Sequence, residues 1–141
     1  MEVISEALEA SSQAIVRNHG IIDKYIGDCV MAFWFGDNHH TNACLAALDS
    51  NKALNEMGPS WSERKLPILK CRIGINSGPV LMGNVGARHR FNYTVIGDNV
   101  NMASRVEALN KHYGTTIMIT EHTKQFLNPG EFLLRRLDRV Q

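Results

Sequence analysis

Residues 83–105 read GNVGARHRFNYTVIGDNVNMASR, and the reading of this stretch decides the fold. Tyr93, Thr94, Val95 and Ile96 are aromatic or β-branched and predict a short strand. Gly97 supplies a turn, and Asp98 is suited to cap a helix because its carboxylate can accept orphan amide hydrogens. In that helix, Val100, Ala103, Val106 and Leu109 recur on one apolar stripe. Asn101 and Arg105 are four residues apart, so they share a face about one turn from each other. An amide and a guanidinium near a helix N-terminus suit an anionic, oxygen-rich ligand. By itself, Asn-x-x-x-Arg is the ordinary make-up of a solvated helix face.

Upstream, residues 2–19 predict an amphipathic helix with Ile4, Leu8, Ser11 and Ile15 on one face, Ala7, Ala10 and Ala14 beside it, and Gly20 as its stop. Residues 21–26 predict a strand, Gly27-Asp28 a tight turn, and 29–35 (CVMAFWF) a strand buried on both faces. Thr41 or Asn42 opens a helix that Gly58-Pro59 should stop near Met57. Residues 59–67 then read as a variable loop around Trp61. Leu69, Cys71, Ile73 and Ile75 alternate with Lys70, Arg72, Gly74 and Asn76, as in a half-buried strand. A hairpin is expected over 78–86, turning near Gly83-Asn84. After the 98–112 helix and Gly114 come a strand over 116–119, a helix capped by Thr120, and a further strand over 131–137. Strands and helices interleaved with hairpins predict an α+β sandwich, an antiparallel-rich sheet with helices on one face.

The length of 141 residues suits one domain with a real core. Net charge is +1 without a basic or acidic run, which argues against a nucleic-acid or anionic-membrane surface. The six histidines show no metal-ligand spacing. Cys29, Cys44 and Cys71 form no CxxC pair and predict buried free thiols in a reducing compartment. No apolar run approaches the roughly 20 residues of a membrane span, and no signal-peptide core is present. The expectation is a cytoplasmic segment with no direct membrane contact, whatever anchors its parent.

Three ordered stretches carry a resemblance: 20–34 (GIIDKYIGDCVMAFW), 72–86 (RIGINSGPVLMGNVG), and YTVIGDNVNMASR over 93–105. Together they closely resemble the catalytic domain of class III adenylyl and guanylyl cyclases, over about residues 10–127. The resemblance implies an elaborated ferredoxin-like βαββαβ fold. It implies conversion of a nucleoside triphosphate to a 3′,5′-cyclic monophosphate and pyrophosphate, for signal transduction, with two divalent ions, Mg²⁺ or Mn²⁺, in the complete site. Hard cations of this kind take oxygen ligands.

By the same resemblance, Asp28 matches a metal aspartate, Asn101 the asparagine that orients the ribose, and Arg105 the arginine that stabilises charge at the α-phosphate. Lys24 and Thr94 match the two base-reading positions. A lysine only donates, which suits N1 of adenine, and a threonine hydroxyl can accept from the N6 amino group. Guanine recognition would call for an acceptor such as Glu where Lys24 stands. The expected substrate is therefore ATP, and the enzyme resembles the bacterial homodimeric adenylyl type. In this family the two halves of each site, here Lys24/Asp28 and Asn101/Arg105, face each other across a two-fold dimer interface. The hairpin arm around Val80, Leu81 and Met82 is expected to reach the partner, while Arg88 and Arg90 read as solvated loop charges or phosphate contacts.

Two elements of the family pattern have no counterpart. The other metal aspartate normally lies in a strand before the first helix; Glu2, Glu6 and Glu9 lie on that helix, and by strand alternation Asp23 points away from Lys24. The lysine-bearing segment expected after Arg139 is likewise not found. These gaps predict a truncated catalytic domain over 1–141 whose own activity and stability are low. They also leave open a cyclase-homology module that dimerises without turnover, beside the further alternatives of a guanylyl cyclase or an unrelated ferredoxin-like interaction domain.

Overall fold

The computed structural model describes residues 2–85 and 92–139. Helix α1, Glu2–Arg17, leads into the antiparallel hairpin β1, Ile21–Ile26, and β2, Cys29–Phe33. Helix α2 is His39–Glu63, and β3 is Ile73–Ile75. Strands β4, Leu81–Val85, and β5, Asn92–Ile96, form a second antiparallel hairpin. Helix α3, Asp98–Tyr113, precedes β6, Ile117–Ile119, which pairs in parallel with β3. A short helix α4, Glu121–Lys124, follows. Among the described residues the strands form three two-stranded sheets, two of them antiparallel.

The core is built where α1 crosses α2. Val3, Ala7, Leu54 and Trp61 form its buried cluster, with Ile4, Ala10, Met57 and Leu66 packed around it. The alanine side of α1 is thus the inward one: small residues let the two helices approach, and Leu54 and Trp61 fill the space.

Several sequence expectations are corrected here. Gly58-Pro59 does not stop α2, which continues to Glu63 with Pro59 inside it. A proline in a helix interior costs about 3 kcal/mol, but continuation carries Trp61 into the core, where it is fully buried. Trp61 therefore sits in a helix and not in a variable loop. Gly83 and Asn84 lie within β4, opposite Thr94 and Tyr93, so the hairpin does not turn there. Its connection and both Arg88 and Arg90 lie outside the described residues. Asp98 is the first residue of α3 and the cap position is Gly97, with φ +138° and no side-chain cap bond. Strand β2 is half-exposed rather than buried on both faces. Residues 131–137 form no strand. Cys29 is exposed, whereas Cys44 is buried.

The polar interior is closed by side chains that periodicity does not flag. Asn110, fully buried on α3, donates Nδ2 to the carbonyls of Ile73 at 2.9 Å and Glu107 at 3.1 Å. Its Oδ1 accepts from Thr115 Oγ1 at 2.7 Å. Gly74 lies so near α3 that a Cβ there would stand 2.2 Å from the Glu107 nitrogen. Strand β3 and helix α3 are thus locked face to face, and that contact sets the height of everything α3 carries.

Candidate active site

The sequence-predicted site residues fall on three elements. Lys24 lies on β1 and Asp28 follows Gly27 in the turn to β2; both are exposed. Gly27 has φ +58°, a conformation glycine adopts without a Cβ penalty, which makes the turn tight. Asn101 and Arg105 are exposed on α3, one turn apart, and no hydrogen bond or ion pair among the described residues engages either side chain.

The N-terminal end of α3 is held by an amide cluster. Asn76 Nδ2, just beyond β3, donates to the Asn99 carbonyl at 3.0 Å and to Asn99 Oδ1 at 3.1 Å. Asn99 Nδ2 donates to the Pro79 carbonyl at 2.8 Å, and Thr120 Oγ1 donates to Asn76 Oδ1 at 2.7 Å. The start of α3, the approach to β4 and the start of α4 are therefore fixed to one another. Rigid placement of the helix carrying Asn101 and Arg105 is what charge stabilisation by a guanidinium requires.

Thr94 is placed differently. It is only 2 % exposed, and its Oγ1 donates to Asp23 Oδ2 at 2.7 Å. The Val95 backbone N–H points to the same oxygen at 3.5 Å. Asp23 sits where the β1–β2 register shifts, between the pairs Ile22↔Ala32 and Lys24↔Met31. An extra residue at such a bulge breaks the simple alternation of side chains. The Asp23 carboxylate meets Thr94 on β5, while neighbouring Lys24 is exposed. Asp23, the residue before Lys24, thus ties the first hairpin to Thr94 in the second. The sequence reading considered Asp23 only as a metal ligand, since nothing in the residue string signals its hydrogen bond to a strand 71 positions away.

No hydrogen bond or ion pair among the described residues links Lys24 or Asp28 to Asn101 or Arg105. The turn does lie within electrostatic reach of α3. Although Cys29 is exposed at the surface, partial desolvation by its surroundings pushes its thiol up, and the charges of Glu107 on α3 and of neighbouring Asp28 add to that. Asp28 is a hard oxygen donor of the type Mg²⁺ or Mn²⁺ prefers, exposed and unengaged among the described residues. It fits as one ligand of such an ion; the described residues hold no group of three metal-binding side chains.

The profile of the adenylate and guanylate cyclase catalytic domain matches residues 8–141. The chain belongs to this family. It is 41 % identical over 141 residues to an adenylate cyclase of Anabaena cylindrica, covering 96 % of this chain and 28 % of that protein. Its fold matches a bacterial light-regulated adenylyl cyclase with a TM-score of 0.82 at 28 % identity, over 91 % of this chain and 38 % of that one. It also matches the guanylyl cyclase Cya2 with a TM-score of 0.77 at 26 % identity, over 88 % of this chain and 64 % of that one. The chain thus spans well under a third of the curated Anabaena relative. The α+β cyclase fold expected from the sequence is the fold observed. Among the described residues, no helix is long and apolar enough to cross a membrane.

Proposed function

We propose that this chain is the catalytic domain of an adenylate cyclase that converts ATP to 3′,5′-cyclic AMP and pyrophosphate for signalling in the cytoplasm. The ribose 3′ oxygen attacks the α-phosphorus, the bond to the β-phosphate's bridging oxygen breaks, pyrophosphate departs, and the 3′ hydroxyl proton is lost. Lys24 donates to N1 of adenine, and Thr94 accepts from the N6 amino group. Asn101 holds the ribose, and Arg105 faces the α-phosphate, where negative charge grows in the transition state. Asp28 would hold a divalent ion through a carboxylate oxygen. The chemistry that Mg²⁺ or Mn²⁺ supplies when bound is neutralisation of the triphosphate and a more acidic ribose hydroxyl.

The observation that carries this reading is the Thr94–Asp23 hydrogen bond, which ties Thr94 on β5 to the residue preceding Lys24 on β1. A lysine donor and a threonine hydroxyl match the edge of adenine, with its ring acceptor and amino donor. A second copy of the chain completes the arrangement, one subunit giving Lys24 and Asp28, its twin Asn101 and Arg105. Support for pairing comes from the apolar side chains exposed on and beside the second hairpin, Val80, Leu81, Met82 and Ile96, with Leu81 71 % exposed.

The test is product analysis. The intact protein, given ATP or GTP with Mn²⁺ or Mg²⁺, should form cyclic AMP as its main product. Cyclic GMP formed from GTP at higher efficiency, or no cyclic nucleotide at all, would overturn the proposal.

A further inference from the structure

We propose that Asp23 is a positioning residue that sets purine specificity by fixing the direction of the Thr94 hydroxyl. The inference rests on the base-reading role of Thr94 given above and adds a residue to it.

A threonine hydroxyl is ambiguous: it can donate its one proton or accept at its lone pairs. Facing adenine's amino group it must accept; facing the O6 of guanine it could donate. An unrestrained hydroxyl therefore tolerates both bases. Here the ambiguity is removed. The contact from Thr94 Oγ1 to Asp23 Oδ2 is 2.7 Å long, and a carboxylate oxygen only accepts, so the proton in that contact is Thr94's. The other acceptor in reach, the Val95 carbonyl, is at 3.5 Å and is the weaker competitor. The Val95 N–H, which can only donate, points at the same carboxylate oxygen and helps to hold it.

What remains on Thr94 is lone pairs. Oγ1 is the one polar side-chain atom of Thr94, so the orientation of its single proton decides what that atom can recognise. An oxygen with its proton already committed attracts an amino hydrogen and repels a carbonyl oxygen. Discrimination then works by rejecting guanine as much as by holding adenine. Asp23 acts from the β1 bulge beside Lys24, so one short segment supplies both the donor for the ring and the lock on the acceptor.

The experiment compares kcat/KM for ATP and GTP in the intact protein and its variants. Asp23→Ala should lower the ATP-over-GTP ratio about tenfold, the scale of one hydrogen bond of the wrong polarity, chiefly through better use of GTP. Asp23→Asn, whose Oδ1 still accepts from Thr94, should keep the ratio within about threefold of the parent. Asp23→Leu fills the same space with no acceptor and serves if the alanine variant does not fold. In a Thr94→Val background, Asp23→Ala should leave the ratio unchanged, because there is no hydroxyl left to orient. An unaltered ratio in both Asp23→Ala and Asp23→Leu overturns the proposal, and so does an equal fall with and without the Thr94 hydroxyl. If the parent makes no cyclic AMP, the catalytic reading fails separately. Calorimetric binding of non-hydrolysable ATP and GTP analogues to the same variants then judges Asp23 by the same ratios, and absence of binding to either analogue overturns both.

Discussion

The indole N–H of Trp61 donates to Glu6 Oε2 at 2.8 Å, joining two side chains 55 residues apart in sequence. Arg64, one turn further along the chain, closes on the same carboxylate at 2.7 Å. The last turn of α2 is thereby fastened to the first turns of α1. The same contact explains why the helix runs through Pro59.

Truncating Trp61 should therefore be among the most damaging single changes. Trp61→Ala is expected to cost about 3–5 kcal/mol, the range for removing a fully buried tryptophan. Trp61→Phe should cost less, since it keeps most of the packing and loses the hydrogen bond. Urea midpoints of the three proteins check the order. The contact also makes stability pH-dependent. The Arg64 hydrogen bond, then that of Trp61, holds the Glu6 carboxyl below the usual range. An unfolded glutamate titrates near 4.3, so on acidification the unfolded chain takes up this proton first. The stabilisation is complete above about pH 4.3 and is lost as pH falls through the lower folded value. Glu6→Gln should flatten this acid limb of the stability profile. An identical limb in the variant would assign the acid sensitivity to other carboxylates.

Gly74→Ala tests the locking of β3 to α3. The added Cβ would meet backbone on three sides, at 2.2 Å from Glu107 N and 2.6 Å from both Ala103 O and Glu107 Cα. Backbone cannot swing aside as a side chain can, so a loss of about 1–3 kcal/mol or more is expected. Because α3 carries Asn101 and Arg105, catalytic turnover should fall even under conditions where the variant remains folded. Denaturation and activity measured on one preparation read both effects.

The thiols should separate by reactivity. Burial, with a smaller contribution from Glu131, pushes the Cys44 thiol up to about 11. At pH 7 only about one part in 10,000 of it is thiolate, the form that reacts. Differential alkylation read by mass spectrometry should label exposed Cys29 first, and Cys44 only on unfolding. Early labelling of Cys44 in folded protein would contradict its placement inside α2.

The proposed two-copy site predicts complementation. Asp28→Asn and Arg105→Ala should each be nearly inactive, the second mainly through kcat, by about 100- to 1000-fold. Mixing the two should restore about a quarter of parental activity. Half of randomly exchanged dimers pair unlike subunits, and each of those contains one intact site of two. No recovery, with subunit exchange verified by light scattering of size-tagged protein, would argue that each subunit acts alone.

Much of the architecture was legible in the residues. Apolar periodicity marked α1, α3 and the β1–β2 hairpin, and Gly27 and Gly114 marked the ends where backbone must take positive φ. These are local properties: 3.6- and 2-residue periods and turn chemistry act over neighbours in sequence, so a string of residues encodes them. Lys24, Asp28, Thr94, Asn101 and Arg105 were proposed from ordered motifs, since identity at fixed spacing can be read without any geometry.

Tertiary structure decided the rest. Pro59 and Gly58 are local helix breakers, overruled by the burial of Trp61 against a helix more than fifty residues away. The hydrogen bond between Thr94 and Asp23 and the satisfaction of Asn110 inside the core exist only between segments. The physical reason is common to all three. A buried polar or aromatic group is stabilised by partners that three-dimensional packing brings to it, and those partners can lie anywhere in the chain.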